Sequence, residues 1–282
     1  EEWKANHVSD PDNYPSTNWV DEAFTEPGLQ QRHQIGISGG SDQIRFFGSL
    51  SYDDERSNIP NYGFKRYSIR MNTDISALKN LNINFDILLL RGEQTSPSAS
   101  IGRIITDIFR VPSVYVSRYS HGGWGPAFNL NNPTAYIHDG GLSKDMTTTV
   151  RPNLGLNYKL FNALNLRVAY SPDLQIGNEK TMVKSYDITD PSGETVQQMP
   201  SINSLTQRES TTFNQTLNAT LHFQKYLGKH TASVLGGYEF VSFKNSYFQA
   251  FRDQFLLQDL EELNAGAVAN QQNNGSGSEW SL

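Results

Sequence analysis

The chain contains no cysteine among its 282 residues. That excludes disulfides, thiolate catalysis and cysteine-based zinc sites, and it permits export into an oxidising compartment. Long apolar runs are also missing. The longest is ILLL (Ile87–Leu90), far short of the roughly 20 apolar residues a membrane-crossing helix needs. Helical spans are excluded. A β-barrel is not, because its strands are only half apolar. Apolar residues make up 37% of the chain and mean hydropathy is −0.54. Positive charge is scarce: 23 Lys and Arg face 29 Asp and Glu, a net charge of −6 with no basic block. Nucleic acid is therefore not an expected partner. No GxSxG, HExxH or P-loop occurs, nor a dinucleotide-binding glycine motif, so the expectation is a non-enzyme without cofactors. The opening EEWKANHVSDPDNYP lacks an initiator Met, a basic n-region and an apolar h-region, and SGSEWSL begins a new alternation at the other end. Both ends read as cuts through a longer chain.

What is present is alternation. Residues 66–87 read RYSIRMNTDISALKNLNINFDI. Apolar and polar residues trade places, pause at ALKN and resume, as in a hairpin with one wet face. Segments of this kind give about eight strands. They lie near 31–39, 43–53, 64–75, 81–91, 147–160, 164–173, 209–226 and 229–247.

Their faces are distinct. Tyr67, Ile69, Met71 and Ile75 oppose Arg66, Ser68, Arg70, Asn72 and Asp74. Leu81, Ile83, Phe85, Ile87 and Leu89 oppose Asn82, Asn84 and Asp86. Leu154, Leu156, Tyr158 and Leu160 oppose Arg151, Asn153, Asn157 and Lys159. The connections alternate as well. GGSD, ALKN, FNA and LGK link strands within pairs, whereas about ten, fifty and thirty residues separate successive pairs and a long tail follows the last. Short, long, short, long is the rhythm of an outer-membrane barrel, with tight periplasmic turns and long outer loops. A single hairpin fits a soluble sheet better; eight strands with loops sorted by length favour the barrel. The expected fold is all-β: an antiparallel up-and-down transmembrane barrel, here an incomplete wall of about eight strands. Residues 1–30 would be an extracellular loop, 31–250 the strands and 251–282 another extracellular loop. Tyr52, Tyr67, Tyr158, Phe161 and Tyr226 fall near strand ends, where an aromatic girdle would sit. His33 and His222 read as hydrogen-bonded wall residues.

On the polar face, Arg66, Arg70, Asn72, Asp86, Arg151 and Asn157 are the expected lumen lining. In the longest loop, IGRIITDIFR (101–110) has a helical apolar face. The Gly-, Pro- and aromatic-rich stretch after it offers Tyr119, His121, Trp124 and Phe128 as substrate-facing candidates, since rigid aromatics stack on sugar rings and side chains. The same residues would equally serve to pack the loop on itself. DPDNY (10–14) is oxygen-rich but lacks EF-hand spacing, so no metal site is assigned. DLEELNAG (259–266) reads as a short helix closed by Gly266, and NQQNNGSGS as a flexible loop tip.

STNWVDEAF (16–24) followed by HQIGISGGSDQIRFFGSLSYDDERSNIPNYGFKRYSIRMNTDI (33–75) resembles the early barrel of SusC/RagA-type TonB-dependent transporters. That family has an NTDW–DE–F segment, a strand ending in SGG, an aromatic strand with S-L-x-Y and then FKRYS-R-N, in this order. LNAG (263–266) resembles its late-loop motif. The resemblance implies a wall segment of a barrel of roughly 22 strands with an N-terminal plug, in the bacterial outer membrane. It further implies uptake of oligosaccharides or peptides energised by TonB–ExbB–ExbD, with a SusD-like lipoprotein as lid and lipid around the wall. The rival readings are a small outer-membrane barrel acting as an adhesin or structural protein, and a soluble carbohydrate-binding β-sandwich. The sandwich requires Leu81, Ile83, Phe85 and Ile87 to be buried by protein.

Overall fold

A computed structural model describes residues 2–282. Two short helices come first, α1 (Glu2–Ser9) and α2 (Trp19–Ala23). Then follow β1 (Leu29–Gly40), β2 (Ile44–Arg56), β3 (Gly63–Leu78) and β4 (Leu81–Pro97). Helices α3 (Ile101–Arg110) and α4 (Pro133–His138) lead to β5 (Leu142–Phe161) and β6 (Leu164–Val183). A hairpin of β7 (Tyr186–Thr189) and β8 (Thr195–Met199) precedes β9 (Ser204–Leu227), β10 (His230–Asp253) and β11 (Gln272–Ser281).

Nine of these strands form one antiparallel sheet in the order β1-β2-β3-β4-β5-β6-β9-β10-β11. It is a meander, and its edges β1 and β11 are not paired with each other. The connections at 41–43, 79–80, 162–163 and 228–229 lie at one end; those at 57–62, 98–141, 184–203 and 254–271 lie at the other. No second sheet faces the wall, since the only other sheet among the described residues is the β7–β8 hairpin. Leu81, Ile83, Phe85 and Ile87 belong to neither buried core. The sandwich reading is therefore overturned.

Two expectations need correction. The sheet has a ninth strand, β11, where NQQNNGSGS read as a loop tip and 251–282 as loop throughout. Its first part, QNNGSGS, has no apolar residue to alternate, and only the end at SGSEWSL signals a strand; it pairs with Ser242–Phe251 by backbone bonds, and Trp280 stacks on Phe243 at 5.8 Å. The second concerns LNAG, which forms a single 3-10 turn at Leu263–Ala265 rather than the end of a helix. Gly266 is not in the left-handed region (φ −80°). It is needed for close approach, because a Cβ there would lie 2.7 Å from Arg252 and 2.8 Å from Phe255.

Along the apolar band the wall buries no core, and only Met182 of β6 and Leu205 of β9, near the long connections, pack with Phe255 into a small buried cluster. The long connections instead build a core of their own. Trp19, Ile59, Ile104, Ile108, Trp124, Ile137 and Ile188 converge from four separate stretches outside the main sheet into a single buried cluster. Helix α3 occupies the expected 101–110, capped by Ser100, and buries Ile104 and Ile108, while Phe109 points outward. Asn132 ties the cluster together. Fully buried, it caps α4 by accepting from the Ala135 N–H at 3.1 Å, and its amide donates to the carbonyls of Ser117 (2.6 Å) and Gly125 (3.0 Å). DPDNY is spent on the same cap: Asp10 accepts from the Asn13 amide at 2.9 Å, and Asp12 accepts from the Ser120 hydroxyl at 2.5 Å.

Candidate functional site

Strand register decides which side chains share a face. Across β1 to β4, His33, Tyr52, Tyr67 and Arg91 form one row; Ile35, Leu50, Ile69 and Leu89 form the next on the same face. Further along come Ile37, Gly48, Met71 and Ile87, continuing through Pro152 on β5. This face is apolar and open: Ile35 is 75% exposed, Leu50 55% and Val234 65%. Tyr52 packs on Tyr67 with ring centres 5.1 Å apart, at the edge of the apolar band. Phe161 sits exposed at its opposite edge, beside the tight turns, whereas Tyr226, also exposed there, is in the phase of Thr220 and His222 on the other face.

The other face is polar, and all six expected lumen residues lie on it. Arg70 stands beside Leu88 and then Arg151; Asn72 stands beside Asp86 and then Asn153; Asn82 stands beside Asn157. Hydrogen bonds run across strands. The Asn72 amide donates to Asp86 at 2.7 Å, Asn153 donates to the same carboxylate at 3.1 Å, and the Ser171 hydroxyl donates to Asn153 at 2.7 Å. Arg151 pairs with Asp173 at 2.7 Å. Arg66 and Arg32 both pair with Asp53 at 3.2 Å. Asp53 is only 5% exposed, so a carboxylate there requires these partners. His222, on this face, lies 2.9 Å from the Ser233 hydroxyl, whereas His33 lies on the apolar side, stacked on Tyr52.

The four loop aromatics are not brought together. Tyr119 is buried and stacks on the exposed His121 with ring centres 5.3 Å apart. His121 Nδ1 accepts from the Gly123 N–H at 3.2 Å, which places the ring proton on Nε2, where it donates to the Asp190 carbonyl at 3.1 Å. Trp124 faces the cap interior. It stacks on His138 at 6.0 Å, lies under the Arg118 guanidinium at 4.8 Å and donates from Nε1 to Asp139 at 2.7 Å. Phe128 is 38% exposed, with Arg110 above it and Tyr115 at its edge. Of the four, His121 and Phe128 are therefore the accessible ones, at separate places.

Electrostatics in the cap reflect burial. Burial and a hydrogen bond to Asp107 (2.8 Å) hold the Tyr136 phenol far above its usual range, and burial pushes Tyr186 up to about 12. Burial raises Tyr119 too. The Ser192 hydroxyl lowers Asp190. Because the raised phenols favour the folded cap only while protonated, their contribution is complete below pH about 10 and lost as pH rises toward 12. Limited proteolysis of the cap between pH 8 and 12 should accelerate over that window. An unchanged transition in a Tyr136→Phe, Tyr186→Phe variant would contradict the assignment.

A one-sheet meander with an apolar outer band, a polar opposite face and all long connections at one end is the wall of an up-and-down β-barrel. Comparison with known proteins makes the class narrower. No family model matches the chain. TonB-dependent receptor P3 of Formosa agariphila is 23% identical over 289 residues, covering 95% of this chain and 27% of the relative. TonB-dependent receptor P26 of the same organism is also 23% identical, covering 82% of this chain and 23% of the relative. The chain thus spans about a quarter of the length of these curated relatives. The solved RagAB peptide transporter superposes over 100% of this chain and 33% of its own, with a TM-score of 0.76 at 16% identity. The closed-closed state of the RagAB peptide importer gives 0.75 over 94% of this chain. The fold is that of a SusC/RagA-type barrel wall, as the SGG and FKRYS segments implied.

Proposed function

We propose that this chain forms part of the wall and outer vestibule of an outer-membrane, TonB-dependent importer of oligosaccharides or peptides. One observation carries the reading: an exposed apolar band runs across the sheet opposite a face of Arg, Asp and Asn. In a soluble protein so large an exposed apolar patch is an aggregation liability; in a bilayer it is the lipid contact. The polar face, with Arg66, Arg70, Asn72, Asp86, Arg151 and Asn157, then lines the passage. Residues 1–30 and the connections at 98–141, 184–203 and 254–271 build the vestibule, where His121 and Phe128 are placed to touch cargo. Tyr119 and Trp124 support those two from within.

On this reading the chain catalyses no reaction and serves binding, gating and passage. A SusD-like lipoprotein would cover the vestibule, and TonB–ExbB–ExbD would supply energy through a plug. The test is membrane fractionation of the full receptor with uptake measured in TonB-competent and TonB-deficient cells. Uptake that requires both the receptor and TonB supports the proposal. A protein recovered in the soluble fraction, or uptake indifferent to TonB, overturns it.

A further inference from the structure

The ILLL run breaks the alternation of β4. Ile87 and Leu89 take their places on the apolar face, but Leu88 and Leu90 stand on the polar one. There they floor a 380 Å³ recess between β1 and β4, whose rim holds Arg32, Arg66 and Arg70 with the hydroxyls of Ser49 and Ser68. Ser49 lies directly beside Arg70 on the neighbouring strand.

The recess carries an excess of positive charge. No carboxylate lines it. Asp53, in the same row between Arg32 and Arg66, is shared by the two and offsets only one of them. Arg70 is exposed and, among the described residues, has neither an ion pair nor a side-chain hydrogen bond. An unpaired guanidinium beside an apolar floor has a planar fork of donors to offer, and the low local polarity strengthens whatever anion meets it. Leucines at this depth add a surface for the apolar side of the same solute.

We propose that this recess is a binding subsite for a carboxylate group carried on a small solute. Arg70 grips the anion, Arg66 and Arg32 supply the surrounding field, and Leu88 and Leu90 receive the solute's apolar face. The inference rests on the import reading above in taking the polar face as the passage, and it narrows the cargo to acidic molecules.

The test uses the full receptor, purified in detergent and titrated calorimetrically at low salt with three probes: tri-galacturonate, tri-glutamate and neutral maltotriose. At least one anionic trimer should bind more tightly than maltotriose, and which one binds separates an acidic sugar from an acidic peptide. Arg70→Gln should weaken that binding by about tenfold or more, as expected for loss of a charge-assisted contact. Arg70→Lys should fall between, because it keeps the charge but not the fork. Heat-shifted migration on gels verifies that each variant is folded, and if Arg70→Gln fails that check, Arg70→Lys reads the same contact. The proposal falls if neither anionic trimer outbinds maltotriose, or if folded Arg70 variants bind like the parent. Those results would leave TonB-dependent uptake untouched, so the two readings fail separately. Arg70-dependent anion binding by a receptor that fails the uptake test would uphold the subsite alone.

Discussion

Phe85→Arg is expected to impair assembly of the full receptor into vesicles by about 2–4 kcal/mol, the cost of a charge facing lipid at mid-bilayer. Phe85 is the middle member of the apolar series Leu81, Ile83, Phe85, Ile87 and Leu89 on β4. It stands beside Thr73 and Leu154, and Arg91 ends the series in the row of Tyr52 and Tyr67. The neighbouring Asn84→Asp is the matched control. Asn84 lies on the polar face over Gly155, where a Cβ would strike the Asn84 amide, and the acid has the same shape. Urea titration of folded, vesicle-inserted protein measures the difference. Equal stability of the two variants would remove lipid from the apolar face and, with it, the membrane reading.

Trp124→Ala is expected to destabilise the cap by about 3–5 kcal/mol, the range for removing a large buried aromatic. The indole is 8% exposed, and its loss would leave Asp139 without its 2.7 Å donor and Arg118 without a ring beneath it. The backbone bond to β7, from the Thr189 N–H to the residue-124 carbonyl at 2.9 Å, is retained in the variant. The effect should be local. Proteolysis should cut within 98–141 readily, while the heat-shifted migration of the barrel persists. Loss of the heat shift itself would show that cap and wall fold as one unit. Unchanged protease resistance would show that Trp124 is not the cap's anchor.

Period-two alternation made the lower wall legible, because one register step moves a side chain to the opposite face. It placed Arg66, Asn72, Asp86 and Asn157 together before any geometry was known. The upper ends of the strands were not legible. The expected sixth strand ended at Asp173 and the seventh began at Glu209, yet β6 runs to Val183 and β9 starts at Ser204. Beyond Ile176 both faces turn polar, so GNEK and TQRES carry no alternation to read. The cap was illegible for a different reason. Its core joins Trp19, Ile59, Trp124 and Ile188, and contacts so far apart in the chain leave no local period. An aromatic in GGWGP looks the same whether it faces cargo or its own core. For the arginine recess a signal did exist in Leu88 and Leu90, two apolar residues in the polar phase of β4. It passed as part of an apolar run.

The meander also says something about how such a wall assembles and diversifies. Nearly every strand in the sheet bonds to the one before it in the chain; only β9 skips a hairpin to reach β6. Strands can therefore be added in sequence, each new pairing closing one loop. The entropy of closure grows only logarithmically, so the stretch 98–141 costs roughly 2 kcal/mol more to close than 57–62. Its own buried cluster readily offsets that. Outer connections can lengthen, shrink or be exchanged between relatives with little effect on strand pairing, whereas the two- and three-residue turns opposite have no such latitude.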